Sequence, residues 1–543
     1  MSSATEAAPI DTGQRAILPA EERLVIVASS VGTVFEWYDF YLYAILAPFF
    51  AGVFFPPGNV TAALLGAFGA YAAGFLVRPF GALIFGRIGD LVGRKYTFLI
   101  TITVMGVSTI LVGFLPGFKT IGFAAPVLLV VLRLAQGLAL GGEYGGAATY
   151  VAEHSPDDKR GYATSWIQTT ATVGMLLALV VVGICRVLQE AATFSNWGWR
   201  IAFWGSMPLL AISVYIRLKL NESPVFQRMK TAGKRSTSPI RDSFFKYPNN
   251  KYVALALFGA TAGQGVVWYT GQFYALFFLP IYLKLDFIKT YQLIGLSLLI
   301  GTPFFLVFGA LSDRIGRLKI ILAGCLIAAV TYFPLFKGLT HYVNPALEAY
   351  QEKVPIEIHA SECNFHIFIG PWSKQTPCDR AKDFLGKAGL SFQSLPAIQG
   401  EPVVMKIGNV ELRGWDEAKY KAALTSTGYP AKADPNQVNW VMAELLLVIM
   451  VIYVTMVYGP IAAFLVELFP TQIRYTSMSL PYHIGNGWFG GMLPLLATAI
   501  VAKAGNIYAG LWYPIIVSIM TVVIGALFVR EPKHVQIRDQ VFT

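Results

Sequence analysis

Gly86-Arg87-Ile88-Gly89-Asp90-Leu91-Val92-Gly93-Arg94-Lys95 and Gly309-Ala310-Leu311-Ser312-Asp313-Arg314-Ile315-Gly316-Arg317-Leu318-Lys319 are two versions of one charged, glycine-bearing turn. Each stands between two long apolar stretches. A second pair, Glu153-x-x-Pro156-x-x-x-Arg160 and Glu467-x-x-Pro470-x-x-x-Arg474, again joins apolar stretches. A chain that repeats two junctions in the same order is built from two copies of one unit, which the fold must place as equivalents. Asp90 and Asp313 lie 223 positions apart and Glu153 and Glu467 lie 314 apart, so the second copy has gained 91 residues between its junctions. The added length falls where the chain turns polar, at 341–439.

The unit is a membrane one. Hydrophobic residues make up 55% of the 543 positions and charged residues only 13%, which excludes an ordinary soluble domain. Apolar runs long enough to cross a bilayer, roughly 20 residues each, fall near 24–50, 60–86, 97–116, 124–150, 161–188, 199–217, 251–280, 290–312, 318–337, 440–468, 475–504 and 508–529. The expected fold is an all-α membrane protein of about twelve transmembrane helices in two six-helix halves. On this reading 1–23 is a tail, 24–217 the first half and 218–250 a proline-bearing linker. The second half is 251–529, interrupted by the 341–439 insertion, and 530–543 is a second tail.

A net charge of +11 raises the question of a nucleic-acid partner, but its placement answers it. Arg87, Arg94, Lys95, the basic run from Arg217 to Lys251, Arg314, Arg317 and Lys319 all fall on one side of the alternating topology, as the positive-inside bias requires. Both termini are therefore expected in the cytoplasm and no nucleic acid is expected to bind. Residues 1–20 lack the apolar core of a cleaved signal, so the first helix should direct its own insertion. Cys363 and Cys378 lie in the insertion on the outer side, where a disulfide between them is the expectation and two free thiols the alternative. The insertion mixes charges, aromatics and alternating stretches such as Val403-Val404-Met405-Lys406-Ile407, the pattern of a small compact cap.

Gly485-Asn486-Gly487-Trp488-Phe489-Gly490 matches a dinucleotide fingerprint. It sits inside an apolar run with no preceding strand, so its glycines are read as close helix contacts. The sequence has no phosphate loop and no paired-cysteine or zinc-protease motif. Enzyme activity, a cofactor and a metal are not expected.

Ionisable groups in hydrocarbon are costly and need a partner or a task. Glu36, Asp39 and Tyr43 share one face of the first helix. Arg78 precedes Pro79 in the second. Arg133, Gln136 and Glu143 form one arc of the fourth helix, beside a stripe of Gly137, Gly141 and Gly145 that lets a neighbour approach. In the second half, Gln264, Trp268 and Gln272 stack on one face of the seventh helix, and His483 and Asn486 stand three apart in the eleventh. An Asp39–Arg133 bridge that opens when the arginine turns to a substrate would couple a proton to transport. The competing reading is a permanent bridge, or ordinary packing, that only orders helices.

Together these residues resemble the major facilitator superfamily, and within it the metabolite:proton symporters. The resemblance rests on the doubled loop motif and on Gly32-Thr33-Val34-Phe35-Glu36-Trp37-Tyr38-Asp39-Phe40, Phe75-Leu76-Val77-Arg78-Pro79, Arg133-Leu134-Ala135-Gln136-Gly137, Gly141-Gly142-Glu143-Tyr144-Gly145-Gly146 and Glu467-Leu468-Phe469-Pro470-Thr471-Gln472-Ile473-Arg474-Tyr475. It implies secondary active transport by alternating access in a bacterial-type inner membrane, driven by the proton gradient without a cofactor. It also implies that Arg133 serves proton coupling, and that Asp90 and Arg94 form a cytoplasmic latch. Asp90 would cap a helix of the opposite half and Arg94 would pair with a carboxylate such as Glu153. Arg160, Asp313, Arg317, Glu467 and Arg474 stand at the equivalent junctions. The expected substrate is a small organic carboxylate, met by Arg78 and Arg133. A zwitterion such as proline or betaine, held by Trp268, Tyr269 and Tyr43, is the second reading. Export, or ligand sensing by the insertion, are others.

Overall fold

The computed structural model describes residues 19–531 apart from 56–59, 220, 234–235, 362, 365–375 and 398–399. The tail 1–18 and the last residues of the 530–543 tail lie outside that set. Apolar runs in a bilayer must satisfy their backbone groups internally, so they become long helices. The first half is α1 (Pro19–Phe54), α2 (Val60–Leu91), α3 (Arg94–Phe114), α4 (Ala124–His154), α5 (Arg160–Val187) and α6 (Phe194–Lys219). Two short helices, α7 (Pro224–Thr231) and α8 (Pro239–Phe244), occupy the linker. The second half opens with α9 (Asn249–Ile281), α10 (Phe287–Ile315) and α11 (Arg317–Val343).

After a small polar domain it resumes with α15 (Trp440–Leu468), α16 (Arg474–Ala504) and α17 (Ala509–Phe528). Among the described residues, ten helices, α3 to α6, α9 to α11 and α15 to α17, are long and apolar enough to cross a membrane. To these α1 and α2 add 36 and 32 residues. Several boundaries move outward from the sequence expectation; among them, α1 starts at Pro19 rather than 24, and α11 continues to Val343 rather than ending before 341.

The polar domain consists of α12 (Pro345–Lys353), β1 (Ile356–Ala360), α13 (Pro377–Lys387), β2 (Gln393–Pro396), β3 (Val404–Ile407), β4 (Val410–Arg413) and α14 (Glu417–Ser426). Its sheet runs β2-β1-β3-β4, with β1 parallel to β2 and the other pairs antiparallel. Strand alternation turns Ile356, Ile358, Met405 and Ile407 to one face, where Leu347, Leu385, Tyr420 and Leu424 cover them in a core of their own. Cys363 and Cys378 are joined in a disulfide. The domain is fastened to helix ends of the second half. Ala433 N–H donates to Lys284 O at 3.0 Å, Asn439 N–H to Tyr342 O at 2.8 Å and Phe392 N–H to Gly505 O at 2.7 Å. These ends are opposite to the doubled loop motifs, whose side is called the motif side below.

The halves meet through α2 against α16 and α5 against α10, equivalent pairs under the duplication. Within the first half, α2 and α4 approach so closely that an added Cβ at Gly137 or Gly141 would strike the backbone carbonyls of Gly74 or Arg78. The glycine-rich Gly485–Gly490 stretch forms a wide-turn segment of α16 (Ile484–Gly490) packed on α9, as helix packing rather than nucleotide binding requires.

Candidate functional site

Between the halves lies a narrow cavity lined by Glu36 and Trp37 of α1, Arg78 of α2, Tyr144 of α4, Trp268 and Tyr269 of α9, and Tyr482, His483 and Asn486 of α16, among others. A smaller space runs beside it along Phe75, Arg78, Arg133 and Gln136. Arg78 lines both. Its guanidinium sits over the rings of Phe75 at 4.4 Å and Phe40 at 5.1 Å. Among the described residues it forms no ion pair, and its Nε has no hydrogen-bond partner. Both ring nitrogens of His483 and the indole N–H of Trp268 are likewise buried without partners. Each such group costs about 1–3 kcal/mol. Several of them around one cavity leave hydrogen-bonding capacity for a polar guest.

Other polar groups nearby find partners inside the protein. Gln264 and Asn486 exchange amide hydrogen bonds at 3.0 and 2.9 Å. Tyr144 stacks on Tyr482 across the halves with ring centroids 3.6 Å apart, and the Tyr482 and Tyr458 hydroxyls share a 2.8 Å hydrogen bond. Trp37 meets Trp268 at 5.4 Å, and Tyr41 stacks on Phe273 at 5.7 Å, so α1 and α9 also touch across the halves. Gln272 is buried off the cavity lining, its amide nitrogen without a partner.

Two sets of buried charges take other partners in this conformation. Asp39 and Arg133 do not bridge in this conformation: Asp39 accepts from the Ser206 hydroxyl at 2.6 Å, while the Arg133 guanidinium lies 3.8 Å from the Tyr43 ring centroid. Arg133 also donates to Gln136 Oε1 at 2.5 Å, and Gln136 donates on to Thr109 at 2.5 Å. The hydroxyl and the aromatic face each hold one charge in place of the bridge. Glu143 lies outside the cavity lining. It pairs with Arg217 and accepts from Thr101 at 2.5 Å. Arg217, read from the sequence as part of the exposed basic cluster, turns inward over the Phe98 ring, and the missing side chain of Gly32 makes room for it.

The doubled junctions form two matching charge clusters on the motif side. Asp90 accepts from the backbone N–H of Thr476 at 2.9 Å and of Tyr475 at 3.4 Å, capping α16 of the other half. Asp313 accepts from Gly161 N–H at 2.7 Å and Tyr162 N–H at 2.9 Å, capping α5. Orphan N–H groups and the helix dipole make each helix start a place for a carboxylate. Arg94 pairs with Asp90 at 2.9 Å and approaches Glu153 at 3.8 Å, while Arg474 reaches Glu153 from the second half at 3.1 Å. Arg317 pairs with Asp313 at 3.0 Å and holds Glu467 through two 2.7 Å hydrogen bonds. Arg160 reaches the same Glu467 from the first half at 2.6 Å. The motif side is closed by charge.

The sequence reading missed two members of these clusters. Glu222 accepts from the backbone N–H of Arg94 at 3.1 Å, and Glu531 from that of Arg317 at 2.6 Å. The signal was present as Glu222-Ser223-Pro224 and Glu531-Pro532, just after the sixth and last helices of the chain. Glu444 of α15 was missed as well; both its carboxylate oxygens are buried without partners.

A family model described as Major Facilitator Superfamily matches residues 27–340, ending where the polar domain begins. The chain is 36% identical over 324 residues to a proline/betaine transporter of Escherichia coli K12, covering 58% of this chain and 64% of that one. It therefore spans less than two thirds of that relative. It is 34% identical over 320 residues to the α-ketoglutarate permease of the same strain, covering 59% and 72%, and 35% identical over 325 residues to its shikimate transporter, covering 58% and 72%. These relatives are transporters, not enzymes. In fold the chain matches a double-tryptophan mutant of XylE with a TM-score of 0.66 at 14% identity, over 96% of this chain and 98% of that one. The proton:xylose symporter XylE bound to 6-bromo-6-deoxy-D-glucose matches at 0.59 and 15%, over the same shares. With the family model matching more than half of its residues and two paired charge clusters joining its halves, the chain belongs to the Major Facilitator Superfamily.

Proposed function

We propose that this protein is a secondary active transporter that carries a small organic carboxylate together with protons, by alternating access around the central cavity. The observation that carries the reading is Arg78: a buried guanidinium facing the cavity without an ion-pair partner, with Glu36 in the same lining, supplies positive charge where a substrate would sit. A carboxylate satisfies a guanidinium with paired, charge-assisted hydrogen bonds. His483, at the same cavity, adds ring nitrogens that need partners. The relatives named as α-ketoglutarate and shikimate transporters carry acids of this class.

Proton coupling falls to Asp39 and Glu36, buried carboxylates of α1, with Arg133 as the cation that changes partner during the cycle. Asp90, Arg94, Glu153, Arg160, Asp313, Arg317, Glu467 and Arg474 act as the gate. The energy source is the proton gradient and no cofactor takes part. Both termini and the 218–250 linker lie on the cytoplasmic side of a bacterial-type inner membrane, and the 341–439 domain lies outside.

A second reading has one specific observation in its favour. Trp37, Trp268 and Tyr269 present aromatic faces around the cavity, which suits the cationic head of a zwitterionic osmolyte, and one relative is named a proline/betaine transporter. Uptake of labelled dicarboxylates, shikimate, proline and betaine into proteoliposomes, with and without an inward proton gradient, tests both. Gradient-driven accumulation of an acid that is lost in Arg78→Ala is the expected result. Accumulation of betaine or proline alone would replace the first reading with the second, and transport of neither class would reject both.

A further inference from the structure

The linker carries a surface that the transport cycle does not use. At the end of α8 and the start of α9, Phe245 and Tyr247 are 79% and 74% exposed, and Arg241, Lys246, Lys251 and Tyr252 are exposed in the same stretch of chain. Phe245 and Tyr247 do not belong to a helix wall covered by lipid tails: they lie in the turn just before Asn249, where α9 enters the membrane. At that level aromatic rings partition into the headgroup layer. Cations beside a membrane span meet phosphate there and are drawn to anionic lipid. The one acidic side chain between 238 and 252, Asp242, is engaged by the Ser236 hydroxyl at 2.5 Å.

The patch is also firmly held. Asn249 donates to Asp242 O at 2.9 Å, closing the turn onto α8. The buried Ser243 hydroxyl of α8 lies 2.7 Å from that of Ser477 in α16, one residue past the backbone that Asp90 caps. Helix α8 packs against both α2 and α16, and so sits under the seam that the charge clusters close. Whatever holds α8 to the membrane surface acts on the closed gate.

We propose that Arg241, Lys246 and Lys251, with Phe245 and Tyr247 inserted beside them, bind the phosphate headgroup of an anionic phospholipid and so anchor α8 at the membrane surface. The shared chemistry is a phosphate monoanion; the source is the bilayer, because the two rings supply the apolar contact that free phosphate lacks.

The test uses the full chain in nanodiscs of phosphatidylcholine, with a fluorophore on Asn250→Cys; Cys185 and Cys325 are buried. A minor fraction of either brominated phosphatidylglycerol or brominated phosphatidylcholine serves as quencher. Quenching should be at least twofold stronger with the anionic lipid, and the excess should vanish in Arg241→Ala/Lys246→Ala/Lys251→Ala. At about fivefold per lost charge, the triple variant should weaken lipid binding by roughly a hundredfold. The charge-preserving Arg241→Lys/Lys246→Arg/Lys251→Arg variant should keep the preference, which separates loss of charge from loss of fold. Equal quenching by the two lipids, or a preference that survives the alanine variant, overturns the proposal. So does loss of the preference to excess inorganic phosphate at constant ionic strength, which would make the site a phosphate site. Quenching by neither lipid would show that the patch faces water, and would overturn it too.

Discussion

The carboxylate of Glu222 accepts the first backbone N–H of α3, that of Arg94, at 3.1 Å, and Glu531 does the same for Arg317 in α11 at 2.6 Å. Both sit against a motif glycine with positive φ, Gly93 at 147° and Gly316 at 113°. A side chain there would be strained by that φ and, at Gly93, would also run into the glutamate. The duplication therefore reaches beyond the doubled motif: each half ends in a glutamate that returns to cap the helix after its own motif. Every cluster combines bonds within one half with bonds between halves, and only the latter must break for the motif side to open.

Asp90→Asn should loosen the closed state without removing the substrate site. The amide still accepts from Thr476 but loses the charge at the helix start and the pair with Arg94. A loss of about 1–2 kcal/mol is expected, roughly 5- to 30-fold in the ratio of closed to open. Labelling of a motif-side cysteine should rise while substrate affinity stays within a few fold. Lost affinity with unchanged labelling would remove Asp90 from the gate.

Glu467→Gln should be the more damaging change. Glu467 is shared between Arg317 of its own half and Arg160 of the other, and neutralising it removes the carboxylate that joins these two buried cations, leaving Arg317 to Asp313 and Arg160 to Asp157. Breaking a buried pair costs about 3–5 kcal/mol. Thermal unfolding in detergent should show a clear drop in melting temperature, larger than that of Asp90→Asn, and an unchanged midpoint would contradict the geometry.

Asp39→Asn should abolish accumulation driven by a pH gradient while leaving exchange of labelled for unlabelled substrate. For a proton-coupled carrier, acidifying the substrate side should raise the uptake rate of the unmodified protein and leave the variant flat. Full accumulation by the variant would take Asp39 out of the coupling.

Arg78→Lys should fail to replace Arg78. An ammonium supplies one charge without the flat fork that pairs with a carboxylate or lies over Phe75 and Phe40. A loss of at least tenfold in affinity for the acid, read by competition binding, is expected. Wild-type affinity in the lysine variant would assign Arg78 to charge alone.

Cys363→Ala should act on the outer domain and not on the transporter body. The bridge closes a separation of 15 residues, which corresponds to about 3 kcal/mol in the chain-entropy account. Protease should cut the 345–429 region faster in the variant or under reductant, with transport rates unchanged. A matching fall in transport would tie the domain to the cycle.

Much of this molecule was legible from its chain because the signals are local. Apolar runs of membrane length become helices whatever surrounds them, and the repeated junctions marked two equivalent halves. The Asp90 cap and the Arg94–Glu153 approach were expectations that the family resemblance of the loop motif implied. The polar stretch between α11 and α15 stood out as a domain of its own, and the Cys363–Cys378 bridge from its two cysteines.

Tertiary structure alone decided which partner each buried charge takes. Helix periodicity told that Glu36 and Asp39, or Arg133 and Glu143, share a face, but a membrane helix has several neighbours and a face does not name one. Glu143 met an arginine 74 positions away, at the far end of α6, and Asp39 met Ser206 of the same helix. Glu222 and Glu531 were hidden because each acts through backbone N–H groups, which every residue carries, rather than through a recognisable side-chain partner. The docking of the outer domain on the second half was equally unreadable, since it rests on backbone hydrogen bonds to helix ends that come together only once both halves have packed.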